Sequence, residues 1–365
     1  MVVGPNFWVG KKVFITGHTG FKGSWLTLYL HHLGANITGY SLNPSTTPNL
    51  FDLANIEELI DSIHGNVKNF VSLSEALRVA QPEIIFHLAA QPLVRYSYKD
   101  PLDTYETNVM GTLNLFEAAR SLSSVKAMVN VTTDKCYENR EWVWGYREID
   151  PMGGLDPYSS SKACSEILSA AYRASYFSDS SVERNNVALA TARAGNVIGG
   201  GDWSIDRLVP DVLNAFSTGN VPNIRNPSSI RPWQHVLDPL HGYMLLAQKL
   251  YQSGRKFSGA WNFGPEDNEA KSVGWIAHRF SELFGLESYK NGDTQVKGDD
   301  LKEHHEAKNL KLDISKAKAE LKWNPKISLE EAIKMTFDWD RLIRSGGDAR
   351  SITLTQIKNY QERIN

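Results

Sequence analysis

The 365-residue chain is 41% apolar and 22% charged, an ordinary globular make-up with length for about two domains. Its formal net charge of −2 offers no general attraction for nucleic acid or an anionic membrane. Any anion it binds must therefore meet a local group of Arg or Lys.

The start of the sequence, Met1 to Asn6, lacks the basic region and apolar run of a secretory signal. Apolar runs such as Ile84-Ile85-Phe86 fall far short of the roughly 20 residues that cross a bilayer. The two cysteines, Cys136 and Cys164, form no CxxC pair and suit a reducing cytoplasm. His304 and His305 are adjacent, so on a helix or strand they point different ways, and no metal site is expected from them.

The first 130 residues alternate strand and helix signals. Val13-Phe14-Ile15 reads as a short buried strand, followed by a glycine turn and an amphipathic helical stretch to about Leu33. Ile37 to Tyr40 reads as a second strand. Ser72-Leu73-Ser74-Glu75 has the form of a capping box opening a helix that stops before Pro82. Ile84 to Leu88 is continuously apolar, as in a strand buried on both faces of a parallel sheet. A helix from about Thr104 to Ser121 and a strand from Ala127 to Val131 follow.

Strands separated by helices imply right-handed crossovers, hence an α/β fold with a Rossmann-type, doubly wound parallel sheet. Past Ala194 the pattern loosens into loops rich in Gly, Pro and Trp, expected to form a smaller mixed α/β substrate-binding domain. The expected division is 1–194 plus a returning segment at about 236–262 for cofactor binding, then 195–235 and 263–345 for substrate. Residues 346–365 read as a peripheral helix or tail.

Chemistry begins at Thr16-Gly17-His18-Thr19-Gly20-Phe21-Lys22-Gly23. After a strand and before a helix, Gly17 permits a tight turn and Gly20 lets backbone N–H groups approach a pyrophosphate. Gly23 lets the helix pack closely on the sheet. This GxxGxxG spacing points to a dinucleotide cofactor. The second strand ends in Ser41-Leu42-Asn43, neither acidic nor basic. Asn43 can hydrogen-bond a ribose but cannot neutralise a 2′-phosphate, and Lys22 is the one cation nearby, so NAD is favoured over NADP.

Tyr158-Ser159-Ser160-Ser161-Lys162 has YxxxK spacing, which puts Tyr158 and Lys162 on one face of a helix. An ammonium, with a positive nicotinamide ring, is expected to lower the phenol's pKa from about 10 and make it a base for a sugar hydroxyl. At the end of the Ala127–Val131 strand, where α/β folds place their sites, Thr132-Thr133-Asp134-Lys135 offers a hydroxyl donor, an acid and an ammonium. For the substrate, a nucleoside diphosphate needs paired cations, and Arg207, Arg225 and Arg231 fall in the later loops. The Trp142/Trp144 pair is a candidate for shaping the pocket, with core packing an equal alternative.

These strings, with His87-Leu88-Ala89-Ala90 and Thr107-Asn108-Val109-Met110-Gly111-Thr112, resemble the extended short-chain dehydrogenase/reductases. The chain is more specifically similar to the nucleotide-sugar 4,6-dehydratases of the CDP-glucose type. That likeness rests on Gly17 to Trp25, Asp134 to Tyr137, Asn139 to Tyr146, Arg193 to Trp203 and Ile230 to Val236, and it extends from about Phe7 to Trp339.

The resemblance implies an internal redox cycle on CDP-glucose, in a pathway of deoxysugar and surface polysaccharide synthesis. Tyr158 would take the proton of the 4-hydroxyl as hydride passes to NAD, and Asp134 would protonate the departing 6-hydroxyl. Many relatives carry glutamate where this chain has Lys135, which would act either as a neutral base at C5 or as a cation steadying the enolate. The resemblance also assigns Asn66, Val67, Leu88, Ala89, Ala90 and Thr107 to the cofactor. It assigns Gln91, Arg95, Thr133, Asn196, Arg207, Arg231 and the weaker candidate Asn262 to the substrate. Helices near 104–121 and 159–176 would pair two subunits, implying at least a homodimer. A nucleotide-sugar 4-epimerase would not need the acid Asp134, and a non-catalytic NAD-binding protein would not need both Tyr158 and Lys162.

Overall fold

The computed structural model describes residues 6–178, 187–224, 226–286 and 308–364. Seven strands form one parallel sheet: β1 (Lys12–Thr16), β2 (Asn36–Ser41), β3 (Asp61–His64), β4 (Ile84–His87), β5 (Ala127–Val131), β6 (Ala188–Ala194) and β7 (Gly259–Phe263). Their spatial order is β7-β6-β5-β4-β1-β2-β3. The chain winds outward from β1 through β2 and β3, then returns to β4 on the other side of β1. That reversal opens a crevice at the C-terminal ends of β1 and β4, where such folds bind ligands.

The apolar runs explain the sheet's position. In β4, Ile84 and Phe86 join one core cluster and Ile85 the other, so successive side chains enter the layers above and below the sheet. Phe14, Tyr40 and Met128 share the second layer with Ile85, while Val13, Ile15 and Val129 face the first.

The structure alters several helix expectations. Helix α1 (Phe21–His32) is not amphipathic: residues Gly23 to Leu30 are all buried. Its outer side is covered by the C-terminal helix introduced below, a distant segment invisible to local periodicity. Helix α2 (Phe70–Ala80) starts earlier than the Ser72 capping box, because Asn69 is the cap and its side chain accepts from the Ser72 N–H at 3.1 Å. The expected helix at 104–121 begins at Pro101, passes through a π-helical turn at Glu106–Met110 and continues as α3 (Gly111–Arg120). Gly111 is required there, since a Cβ would lie 2.6 Å from a Val67 methyl.

Helix α4 (Pro157–Ser175) is capped by Asp156, whose carboxylate accepts from the Ser159 N–H at 2.8 Å, with Pro157 at its first position. Helix α5 (Leu237–Ser253) leads into β7 and so returns the chain to the main sheet. The last helix, α6 (Ala349–Ile364), buries Ile357 and Tyr360, and the Tyr360 hydroxyl donates to buried Asp238 at 2.9 Å. It is an integral layer over α1 rather than a free tail.

Candidate active site

The glycine loop is shaped by contact. Gly17 has φ +77°, and a Cβ there would meet the Ala89 backbone at 2.7 Å. At Gly23 a Cβ would lie 2.0 Å from the Gly17 carbonyl oxygen, so this glycine brings α1 against its own entry turn rather than against the sheet. Gly20 is different: its nearest protein atom would be 3.5 Å from an added Cβ, and it is the N-cap of α1 with no side-chain cap. The first-turn N–H groups are left for an anion at the positive end of the helix.

Around this loop lies a cavity of about 1470 Å³, larger than the 300–1,000 Å³ typical of one small ligand and sized for a dinucleotide with a second nucleotide. Gly17, Thr19, Gly20, Phe21, Lys22 and Gly23 line it, as do Asn43, Asn66, Val67, Leu88, Ala89, Ala90 and Thr107. Thr19 is fixed by hydrogen bonds to the Leu42 carbonyl at 2.9 Å and the Ser41 hydroxyl at 2.8 Å. Behind the loop, His87 bridges Thr16 at 2.6 Å and Thr112 at 3.1 Å, and burial depresses its pKa to about 3, keeping the ring neutral.

The charge of Lys22 interacts with Arg207, Lys162, Asp134 and Asp202, which places it near the catalytic groups. Burial, then Arg207 and Lys162, lower its pKa to about 8.

The sheet end and α4 bring the other groups together. Thr133, Asp134, Lys135, Tyr158 and Lys162 all line the cavity. Thr133 donates to Asp134 Oδ1 at 3.0 Å, and its hydroxyl caps the short turn Asp134–Cys136. Asp134 is buried, and its Oδ2 has no hydrogen-bond partner among the described residues. Burial raises the carboxyl's pKa, against Lys135, Thr133, Arg231 and Lys22, which favour the anion. A Cβ at Gly195 would come within 2.9 Å of that same Oδ2, so the glycine keeps the carboxyl's surroundings open.

Lys162 donates to the Val131 carbonyl at 3.4 Å, and burial lowers its pKa to about 8 while Glu166 opposes the fall. The expected depression of Tyr158 does not occur in the protein alone. Burial raises the phenol to about 12, only partly offset by a hydrogen bond with Thr133. Desolvation outweighs the nearby cations.

On the substrate side, Arg95, Asn196, Arg207 and Arg231 line the cavity. Arg95 pairs with Asp206 at 3.0 Å and Arg207 with Asp202 at 2.9 Å, so carboxylates hold both guanidinium groups at the wall. Two expected substrate residues do not reach the cavity. Gln91 is buried with its amide committed to Leu93 and Thr104. Asn262 is fully buried and bonds Tyr137, Tyr146 and Asp313. Both side chains replace backbone or hydroxyl partners within the fold, as buried amides must. Trp142 stacks on Tyr146 at 5.5 Å and Trp144 is 57% exposed, and neither lines the cavity. Arg225, His304 and His305 lie outside the described residues.

Residues 14–336 match the model of the family described as GDP-mannose 4,6 dehydratase. The chain belongs to that family. Within it, a CDP-glucose 4,6-dehydratase of Salmonella typhimurium strain LT2 is 49% identical over 98% of each chain. A probable dTDP-glucose 4,6-dehydratase of Sinorhizobium fredii strain NGR234 is 26% identical, over 90% of this chain and 92% of the relative. Among solved structures, UDP-glucose 4-epimerase from Thermotoga maritima aligns with a TM-score of 0.76 at 22% identity, covering 91% of this chain and 99% of its own. A double mutant of dTDP-glucose 4,6-dehydratase from Streptomyces venezuelae aligns with a TM-score of 0.73 at 21% identity, covering 93% and 99%. At these identities the structural likenesses establish the fold.

Sequence reasoning did not single out Ser97, whose hydroxyl accepts from the Tyr158 N–H at 3.1 Å, nor Asp202 and Asp206 on the arginines. Asp202 and Asp206, closely preceding Arg207 in one loop, were the available signal. Gly195, in Arg193-Ala194-Gly195-Asn196, was visible only as part of a family-like string.

Proposed function

We propose that the protein is an NAD-dependent dehydratase converting CDP-glucose to CDP-4-keto-6-deoxyglucose and water, in deoxysugar synthesis. The observation carrying this reading is Asp134: a buried carboxyl with a raised pKa and one oxygen unpartnered among the described residues, beside the Tyr158/Lys162 pair in one cavity. A 4-epimerase has no use for such an acid, and a binding protein none for the pair. The choice of CDP-glucose is supported by the 49% identical relative of that name.

The residues present fit NAD. The free first turn of α1 offers N–H groups to a pyrophosphate, and the open face of Gly20 admits it. Ser41, Leu42, Asn43, Ser45 and Thr46 line the cavity around Asn43 with no cation among them, and the charge of Lys22 interacts with Asp134 and Asp202, so these residues offer a 2′-phosphate no counter-charge. When bound, NAD supplies a hydride acceptor for sugar C4 and a donor for C6.

Tyr158 takes the proton of the 4-hydroxyl, with Thr133 sharing the hydrogen bond. Burial pushes the phenol's pKa up to about 12 in the protein alone, so cationic charge from a bound cofactor would be needed to bring it down. The 4-ketone acidifies C5–H: that proton passes to Lys135, on the cavity wall beside Asp134, while Asp134 delivers its own proton to the 6-hydroxyl, which leaves as water. Lys135 returns a proton to C5 as hydride enters C6. Arg207 and Arg231, with Asn196, hold the diphosphate, displacing Asp202 from Arg207.

Incubation with NAD and CDP-, dTDP- or GDP-glucose tests this reading. A product lighter by one water from CDP-glucose supports it; a C4 epimer of unchanged mass, or no turnover of any of the three, refutes it.

We further propose that the protein is cytoplasmic and at least dimeric through the 104–121 and 159–176 helices. Met110 and Ile167 on those helices are 48% and 59% exposed. Both cysteines are unbridged, as suits a reducing compartment. Among the described residues no helix is long and apolar enough to cross a membrane.

A further inference from the structure

Four residues beyond Lys162, the same side of α4 carries Glu166, which is 3% exposed. Its Oε1 accepts from the Thr132 hydroxyl at 2.5 Å and from Arg193 Nε at 2.9 Å. Its Oε2 accepts from the Thr191 hydroxyl at 2.7 Å and from Arg193 Nη2 at 2.8 Å. Arg193 Nη1 in turn donates to the Tyr137 hydroxyl at 2.8 Å, and Tyr137 donates to Asn262 Oδ1 at 2.7 Å.

The connections have a common geometry. Thr132 immediately precedes the Thr133-Asp134-Lys135 segment, and Tyr137 immediately follows the turn that ends it. One carboxylate on the helix bearing Tyr158 and Lys162 therefore grips the segment before its acid directly, and after its acid through Arg193. Arg193 and Thr191 belong to β6, which continues to Gly195 beside Asp134.

Stability alone is a weak reason for this arrangement. A buried ion pair is expensive to desolvate, and well-packed apolar replacements are often as stable or more so. What the pair supplies is a fixed relation between two catalytic elements of separate origin. We infer that Glu166 and Arg193 are positioning residues, setting the acid segment Thr133-Asp134 against the base Tyr158 so that both reach one sugar. This rests on the dehydration proposed above, in which base and acid act on the same substrate. A misplacement of about 1 Å far from the chemistry can cost about 10²-fold in rate.

Two variants test it. Thr132→Val removes the direct link while leaving the ion pair complete. Glu166→Gln combined with Arg193→Met removes both charges together, so that neither is left buried alone. For each, kcat is expected to fall about 10- to 100-fold. KM and NADH affinity stay within a factor of about three, because the residues assigned to the cofactor and the diphosphate are untouched. Unchanged kcat in T132V overturns the inference, and so does a loss that tracks the folded fraction in thermal unfolding. If the double variant does not fold, T132V decides alone. Kinetics are measured on whichever nucleotide-glucose the wild type dehydrates. If it dehydrates none, the proposed function fails, and crystal structures decide the link: a Thr133–Asp134 segment unmoved relative to Tyr158 in T132V overturns it.

Discussion

Gly20→Ala and Gly23→Ala change one hydrogen to a methyl three residues apart, yet the structure gives them opposite consequences. At Gly20 the new Cβ has no protein atom nearer than 3.5 Å, and φ is −79°, which alanine adopts freely. The folded protein loses only the better N-cap, about 0.5–1 kcal/mol. The methyl instead occupies the approach to the free N–H groups of α1. Losing one hydrogen bond from such a group to a charged phosphate costs about 1.5–3 kcal/mol, or about 10- to 150-fold in NAD affinity. At Gly23 the Cβ would sit 2.0 Å from the Gly17 carbonyl oxygen, so the loop must move before any ligand arrives. Titration calorimetry with NAD and thermal unfolding separate the two: G20A binds weakly with a near-normal Tm, and G23A melts early. NAD affinity in G20A within about threefold of wild type would refute the assignment of α1's first turn to the pyrophosphate.

Asp134→Asn keeps the shape of the acid but not its proton. Water loss should slow by about 10²- to 10⁴-fold while oxidation at C4 persists, seen as reduced cofactor accumulating under steady turnover; a normal rate of water loss excludes Asp134 as the acid. His87 ties folding to pH. Its folded pKa, about 3, lies below the unfolded value of 6.5, so its contribution is complete above pH 6.5 and is lost as pH falls toward 3. Between pH 7 and 5 this histidine alone should remove about 2 kcal/mol of unfolding free energy. Urea melts of the wild type and His87→Gln check this, the variant showing a shallower dependence; equal slopes contradict it. Asn43→Arg, placed at the ribose end, should strengthen NADP binding about tenfold through a charge-assisted bond to the 2′-phosphate, as measured by calorimetry.

Local pattern carried the sheet. Ile84-Ile85-Phe86 is apolar because each side chain enters one of two core layers, and that is readable without knowing the partners. The glycine loop and the Tyr158/Lys162 pair were legible for a similar reason: their spacing is a property of one strand-to-helix turn and one helical face. What escaped depends on distant segments. Helix α1 looks half-polar, yet it is buried by α6, more than 300 residues away in the sequence. Gln91 and Asn262 are polar residues beside site residues, and only the fold reveals that their amides are spent on backbone and hydroxyl partners. The Asp206 that holds Arg95, and the Glu166–Arg193 link, join residues that sequence distance does not associate. Tyr158 shows the same limit in energy: a nearby lysine with a nicotinamide ring suggested a lowered pKa, but in the protein alone burial, which no motif encodes, dominates.

In the proposed reaction a hydride leaves C4 and returns to C6 of the same sugar. CDP-glucose carrying deuterium at C4, incubated with the enzyme and NAD, should yield a 4-keto-6-deoxy product with that deuterium at C6. Deuterium retained at C4 in an epimer, or absent from C6 in the product, contradicts it.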